Sequence, residues 1–334
     1  MTTWRPRRIA ALAVGTLALS SVVRRARMVQ RVPAEMRFPA MVVPVSVMGP
    51  RSLARLRRWM STATEVHDGV SHRVVQVESG PVVHVYEPER PDDAAEGVLL
   101  WLHGGGLVMG TAHGDHAQCS RFAHLLGVPV VNVDYRLAPE HPAPAAVEDA
   151  WSALRWVLAT WPDLGPDRVV VAGASAGGGL AALLTQVAHD RGVDVGLQLL
   201  VYPMLDDRTV VRAAGRRPWI GWTATSNRWA WHAYLGTRPG GDDVPSGAVP
   251  GRRQDLRGLA PAWIGVGSED QFRDECVTYA ARLVEAGVPC RLHVQAGLFH
   301  GADGLFLDRA APTREFRERM LGAARTALRR PTTA

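Results

Sequence analysis

Val169-Val170-Val171-Ala172-Gly173-Ala174-Ser175-Ala176-Gly177-Gly178-Gly179 joins a strand, a sharp turn and a helix start within eleven residues. A β-branched run passes without a spacer into Gly-x-Ser-x-Gly and then into small residues able to open a helix. Where a strand turns that sharply into a helix, side chains beside the serine would collide with one element or the other, so glycine is required there. The same turn pushes the serine hydroxyl into the open, where it becomes a nucleophile once a base takes its proton. A phosphate-cradling glycine loop is the rival reading. It lacks its lysine, because all 38 basic residues are arginine, and there is no Gly-x-Gly-x-x-Gly.

On both sides of this elbow, short β-branched runs alternate with longer helical stretches, the pattern of an α/β protein. The runs at 74–77 and 82–86 open the series. Those at 98–102, 128–133, 169–172, 197–202, 263–266 and 292–294 are nearly all apolar and read as strands buried on both faces, hence parallel. Stretches 145–160, 177–191, 275–286 and 314–329 have the spacing of amphipathic helices, and Gly287 before Val288-Pro289 marks the end of the third. The predicted architecture is an α/β-hydrolase fold: a mostly parallel central sheet, helices on both faces and a helical cap.

One stretch breaks the alternation. Residues 206–258 hold Trp219, Trp222, Trp229, Trp231 and Tyr234 among glycines, prolines and arginines, between two strands. They read as a cap insertion whose aromatics can line an apolar cavity, although aromatics more often fill a core. Leu107, Trp222 and Trp229 are the candidate pocket residues. The expected organisation is residues 1–60 as an amino-terminal helical cap or membrane-proximal segment, and 61–334 as the hydrolase domain with its insertion at about 206–258.

A second glycine-rich segment follows the run at 98–102. His103-Gly104-Gly105-Gly106 sets consecutive peptide N–H groups at the end of a buried strand, where fixed donors can hold the negative charge that an ester carbonyl develops. Gly104, Gly105 and Ala176, the residue after the nucleophile, are the candidate oxyanion hole. In this fold the acid and the histidine follow the serine in chain order, each on a loop after a later strand. After the run at 263–266 the loop offers Glu269, Asp270 and Asp274; Asp270 is preferred, Asp274 reads as a helix-start residue and Glu269 stays as a rival. After the run at 292–294 the loop offers His300. The other eleven histidines form no recognisable metal motif with carboxylates or cysteines, so no metal and no cofactor are expected.

At 334 residues, 47% hydrophobic and 21% charged, the chain has the composition of a folded globular protein. Its net charge of +6 is scattered arginine without a recognition motif, so no nucleic-acid partner is expected. Cys119, Cys276 and Cys290 are an odd number without a close pair and read as core residues. The uncharged run Ile9 to Val23 is shorter than the ~20 residues a spanning helix needs. Three readings stay open for it: a helix over the active-site entrance or on a membrane surface, a cleaved signal peptide, or an unstructured tail. The expected location is the cytoplasm, with peripheral membrane contact and export through the amino terminus left open. The oligomeric state is not read from the sequence.

Taken together, His103-Gly104-Gly105-Gly106, Gly173-Ala174-Ser175-Ala176-Gly177-Gly178, the segment from Asp134 to Pro142, Tyr202-Pro203 and Arg273-Asp274-Glu275 resemble the hormone-sensitive-lipase-like family of esterases and lipases over about residues 75–305. The resemblance implies a serine hydrolase with Ser175 as nucleophile, His300 as base, Asp270 as orienting acid, and a two-part cap from the amino terminus and the insertion. It departs from the family at Ala174 (usually aspartate), Leu107 (often aromatic), Gln271 (commonly proline) and Ala302 (phenylalanine). The expected substrate is a small-molecule or lipid ester, with short to medium acyl chains preferred. A lipase for longer chains and an amidase or formamidase on the same triad are the alternatives. A non-catalytic receptor on this fold would be expected to lack a reacting residue, and none is missing.

Overall fold

The computed structural model describes residues 23–38, 41, 46, 49–60, 62–212 and 219–329. The apolar run 9–23 lies outside them but for Val23. In chain order the main elements are α1 (Pro50–Met60), β1 (Val70–Gln76), β2 (Val82–Pro88), β3 (Val98–Leu102), α2 (His116–Leu126), β4 (Val130–Asp134), α3 (Ala145–Thr160), β5 (Val169–Ala174), α4 (Ala176–Asp190) and β6 (Leu197–Val201). Then follow α5 (Thr209–Arg212), α6 (Ala224–Leu235), β7 (Ala262–Gly267), α7 (Arg273–Glu285), β8 (Cys290–Gln295), α8 (Ala302–Phe306) and α9 (Ala311–Leu328).

Among the described residues the strands form one sheet in the order β1-β2-β4-β3-β5-β6-β7-β8. β2 runs antiparallel to both β1 and β4, and every later pairing is parallel. β3, β5, β6 and β7 are buried along their whole length, which explains their apolar runs: helices cover both faces. The expectation of two buried faces fails at β8. It pairs in parallel with β7 but is the last strand of the sheet, and Leu292 and Val294 are exposed. An apolar run cannot tell a central strand from an edge.

The order of β4, β3 and β5 creates the crevice. After β3 the chain crosses to β4 on one side, and after β4 it crosses back to β5 on the other. The loops leaving the carboxyl ends of β3 and β5 therefore part in opposite directions and leave a gap for a ligand between them. Leu102 at the end of β3 stands in register with Gly173 of β5, so the glycine-rich loop and the elbow rise side by side.

Met28, Val32, Met36 and Leu53 are buried in the main core, which carries the amino-terminal segment onto the body of the domain. The insertion between β6 and β7 contains α5 and α6. Cys119 and Cys276 are buried and Cys290 is half-buried, all three with free thiols. No helix among the described residues is long and apolar enough to cross a membrane.

Candidate active site

Ser175 stands between the last residue of β5 and the first of α4, at φ 57° and ψ −120°. A non-glycine residue in that region costs ~1–3 kcal/mol and persists only where its surroundings fix it. Three backbone bonds do so: Ser175 N donates to Val201 O (2.8 Å), and Ser175 O accepts from Met204 N (2.9 Å) and Gly179 N (3.0 Å). The glycines are dictated by crowding, since a β-carbon on Gly173 would lie 2.3 Å from Gly177 O.

His300, on the loop after β8, brings Nε2 to 2.8 Å from Ser175 Oγ. Its Nδ1 lies 2.7 Å from Asp270 Oδ2, and the other carboxylate oxygen, Oδ1, accepts Phe272 N at 2.9 Å. The imidazole is held edge-on between Tyr202 and Phe272, with ring centroids 4.8 and 5.1 Å away. Asp270 is only 1% exposed, so its carboxylate orients the ring out of reach of water. An Nδ1–H bonded to Asp270 leaves the Nε2 lone pair for the serine proton, the arrangement that activates a serine.

The rivals for the acid are engaged elsewhere. Glu269 forms an ion pair with Arg31 at 4.0 Å, and Asp274, the second residue of α7, is exposed and bound by its neighbour Arg273 at 2.8 Å.

Facing the serine, the Gly104 backbone packs so closely that a β-carbon there would lie 3.2 Å from Ala174 O and 3.5 Å from Ser175 Cβ. Gly105 has φ 123°, and a β-carbon on it would fall 2.0 Å from Met109 O. Ala176 is the first residue of α4, so its N–H has no partner inside the helix and lies at the positive end of the dipole. The loop is braced from behind. His103 Nδ1 lies 2.9 Å from Gly104 O, its ring stacks on Tyr135 at 4.2 Å, and Tyr135 Oη donates to His103 O at 2.7 Å. The segment from Asp134 to Glu140 thus buttresses the glycine loop, and Ala138 N adds a bond to Leu107 O (2.9 Å).

Arg57 of α1 is one of the arginines behind the net charge of +6. It donates to Val108 O (2.7 Å) and Ala138 O (2.9 Å) and makes a two-pronged bond to Glu140. That guanidinium holds the Glu140 carboxyl down at about 2. Nothing in the residue types separates Arg57 from Arg55 or Arg58; only the tertiary partners do.

Of the three candidate pocket residues, Trp222 comes against the site loop. A β-carbon on Gly106 would lie 2.6 Å from the indole Cη2, and Trp222 O accepts Gln271 Nε2 at 3.1 Å. Proline, common at that position in the family, could not supply this donor. Leu107 is buried at φ 62°, and Trp229 on α6 is half-buried against the core. Tyr202, with φ 34°, belongs to the site as a wall against His300, a role not legible in the Tyr202-Pro203 pair.

The Ser175 elbow, a glycine loop and an Asp–His pair stand together at the carboxyl ends of the strands, in the expected chain order. A family model of the α/β-hydrolase fold matches residues 99–303, more than half of the chain. The chain belongs to the hormone-sensitive-lipase-like α/β-hydrolases. Among its relatives, esterase LipI of Mycobacterium tuberculosis is 40% identical over 68% of this hydrolase and 72% of LipI. Carboxylesterase NlhH of the same organism is 36% identical over 75% of this chain and 77% of its own. A solved structure of a bacterial heroin esterase superposes with a TM-score of 0.79 at 34% identity, covering 90% of this hydrolase and 99% of that chain.

Proposed function

We propose that this hydrolase cleaves carboxylic esters of short to medium acyl chains through an acyl-enzyme on Ser175. Ester hydrolysis itself is the activity of the family to which the chain belongs. The observation that carries the finer reading is the unbroken relay from Ser175 Oγ through His300 to the buried Asp270, with contacts of 2.8 and 2.7 Å. In this reading His300 takes the serine proton as the hydroxyl attacks the acyl carbonyl. Asp270 stabilises the imidazolium that forms, and the same proton then passes to the departing alcohol. The peptide N–H groups of Gly104, Gly105 and Ala176 hold the developing oxyanion. Water, activated by His300, releases the acid in the second half.

The short-to-medium preference is supported by Trp222, whose ring closes over the glycine loop at Gly106. The described part of residues 1–60 and the insertion at 206–258 act as the cap in this proposal. One contact between them supports it: Ser46 Oγ and Thr223 Oγ1 lie 2.8 Å apart.

The test is a panel of acyl esters graded in chain length, run alongside fluorophosphonate labelling of wild type and Ser175→Ala. Labelling and turnover are expected to vanish together in a variant that keeps its circular dichroism. Full labelling of Ser175→Ala would overturn the nucleophile, and a maximum on long-chain esters would overturn the chain-length reading.

A further inference from the structure

Away from the triad, at the β1–β2 end of the sheet, three histidines far apart in sequence meet. His72 lies on β1, His84 on β2 and His116 opens α2, which packs across that hairpin. In the antiparallel register His72 faces Tyr86 and Val74 faces His84, so the two histidines are diagonal neighbours on one face. One ring nitrogen from each of the three residues lies within 4.8 Å of the others. His72 Nε2 is 3.0 Å from His84 Nδ1, and Tyr86 Oη is 2.6 Å from His116 Nδ1.

We propose that His72, His84 and His116 form a binding site for a divalent transition-metal ion of the zinc type, separate from the ester-cleaving centre. Two observations point to a ligand. His84 is 1% exposed, yet its Nε2 is buried without a hydrogen-bond partner, a cost that natural interiors seldom leave uncompensated. The Tyr86 contact, in turn, fixes one nitrogen of His116, as a hydrogen bond on the far side of a ligating imidazole commonly does. The donors are all imidazole and no carboxylate is among them, which suits zinc, cobalt, nickel or copper and not magnesium or calcium.

Burial, followed by the neighbouring imidazoles, lowers His84 and His116 to about 4, and burial with His113 lowers His72. Ligands of a tetrahedral zinc at ~2.1 Å stand about 3.4 Å apart, so small ring rotations close the set. Exposed His113, edge-on to His84 (4.6 Å) and His116 (5.2 Å), stands where a fourth ligand, its own imidazole or a water, completes the tetrahedron. The role is structural: the ion would tie the β1–β2 hairpin to the start of α2, the helix that the chain enters after the glycine loop.

The experiment uses the full chain, stripped with a chelator and desalted, and titrated with Zn2+ by calorimetry and with Co2+ by visible absorption. One equivalent per chain is expected, with the intense absorption of tetrahedral cobalt and a rise in Tm on adding zinc. His72→Gln and His116→Gln should each weaken uptake at least ~10-fold, whereas His293→Gln, on β8, should bind like wild type. His72 is only half-buried, so its variant keeps the test alive if a change at His84 prevents folding. Absence of stoichiometric uptake overturns the proposal. So does uptake unaltered in His72→Gln, which would assign binding to other histidines such as the stacked pair His67 and His124.

Discussion

A β-carbon on Gly177 would stand 2.0 Å from the carbonyl oxygen of Leu102, so the end of β3 and the second residue of α4 touch through their backbones. This contact does more than permit a sharp turn. The glycine loop leaves β3 at Leu102 and Ser175, the proposed nucleophile, precedes α4 by one residue, so their separation is set by two peptide units with nothing between them. Side chains vary in rotamer and backbones in van der Waals contact do not, which makes this a rigid gauge between Ser175 and the proposed oxyanion donors.

Gly177→Ala is accordingly expected to damage the site out of proportion to its size. Admitting the methyl requires β3 or α4 to move by more than 1 Å, an overpacking that costs ~1–3 kcal/mol. Because donor geometry is disturbed, kcat should fall by about 100-fold or more, with Ser175 still present. Gly322→Ala is the control: it lies in α9 with nothing within 4 Å of its missing side chain, and removing a helical glycine should stabilise by ~0.5–1 kcal/mol. Urea midpoints and single-ester kinetics on both variants read the two effects. Wild-type kcat in a folded Gly177→Ala protein would show that the contact does not set the site.

Asp270→Asn should lower kcat by about 10⁴-fold, because the amide favours the wrong imidazole tautomer while leaving the packing intact. Asp274→Asn should leave kcat near wild type, since Asp274 is exposed and bound to Arg273. Combining Asp270→Asn with His300→Ala should be scarcely worse than the more damaging single change, as the residues act as one unit. A loss in Asp274→Asn equal to that in Asp270→Asn would transfer the acid role.

What separates Asp270 from Asp274 also marks the limit of reading this chain by sequence. Ser175 and His300 were legible because glycine spacing and chain order constrain them locally. Glu269, Asp270 and Asp274 offer the same chemistry within six positions; only the fold buries Asp270 and presents it to His300. Residue type likewise gave no sign that Arg57 among its neighbouring arginines reaches Val108 O, or that β8 would be an edge. The histidines at 72, 84 and 116 carry no local motif. Their meeting depends on a hairpin register and a crossing helix, neither visible in spacing.

Trp222→Ala tests what limits the acyl chain. Removing the indole opens space over Gly106 next to the glycine loop. Each additional methylene accommodated there gains ~0.8 kcal/mol, or about fourfold in kcat/KM. The optimum should move toward longer acyl chains, with kcat on short esters reduced less than kcat/KM is raised on long ones. Trp222→Phe should lie between. An unchanged chain-length profile in a folded Trp222→Ala protein would remove this residue from the pocket.

The amino-terminal segment at 23–38 crosses the loops that carry Asp270 and His300. Pro33 Cδ lies 2.6 Å from where a β-carbon of Gly297 would be, three residues before His300, and Arg31 pairs with Glu269, one residue before Asp270. Glu35 Oε1 accepts Ala311 N at 3.1 Å, tying the segment to the start of α9. Met28, Val32 and Met36 are 4%, 0% and 0% exposed, and burying such side chains contributes ~1.5–3 kcal/mol each. Deleting residues 1–37 should therefore lower Tm by about 10 °C or more and expose apolar surface that binds a hydrophobic dye. It should also depress kcat, because the Gly297 loop loses the prolyl ring it rests on and His300 is held less firmly. Deleting residues 1–22 removes none of these contacts and serves as the reference. Thermal melts, dye binding and ester kinetics on the two truncations separate a cap that supports the catalytic loops from a segment that merely lies on them. Equal Tm and equal kcat in both proteins would show that residues 23–37 brace neither loop.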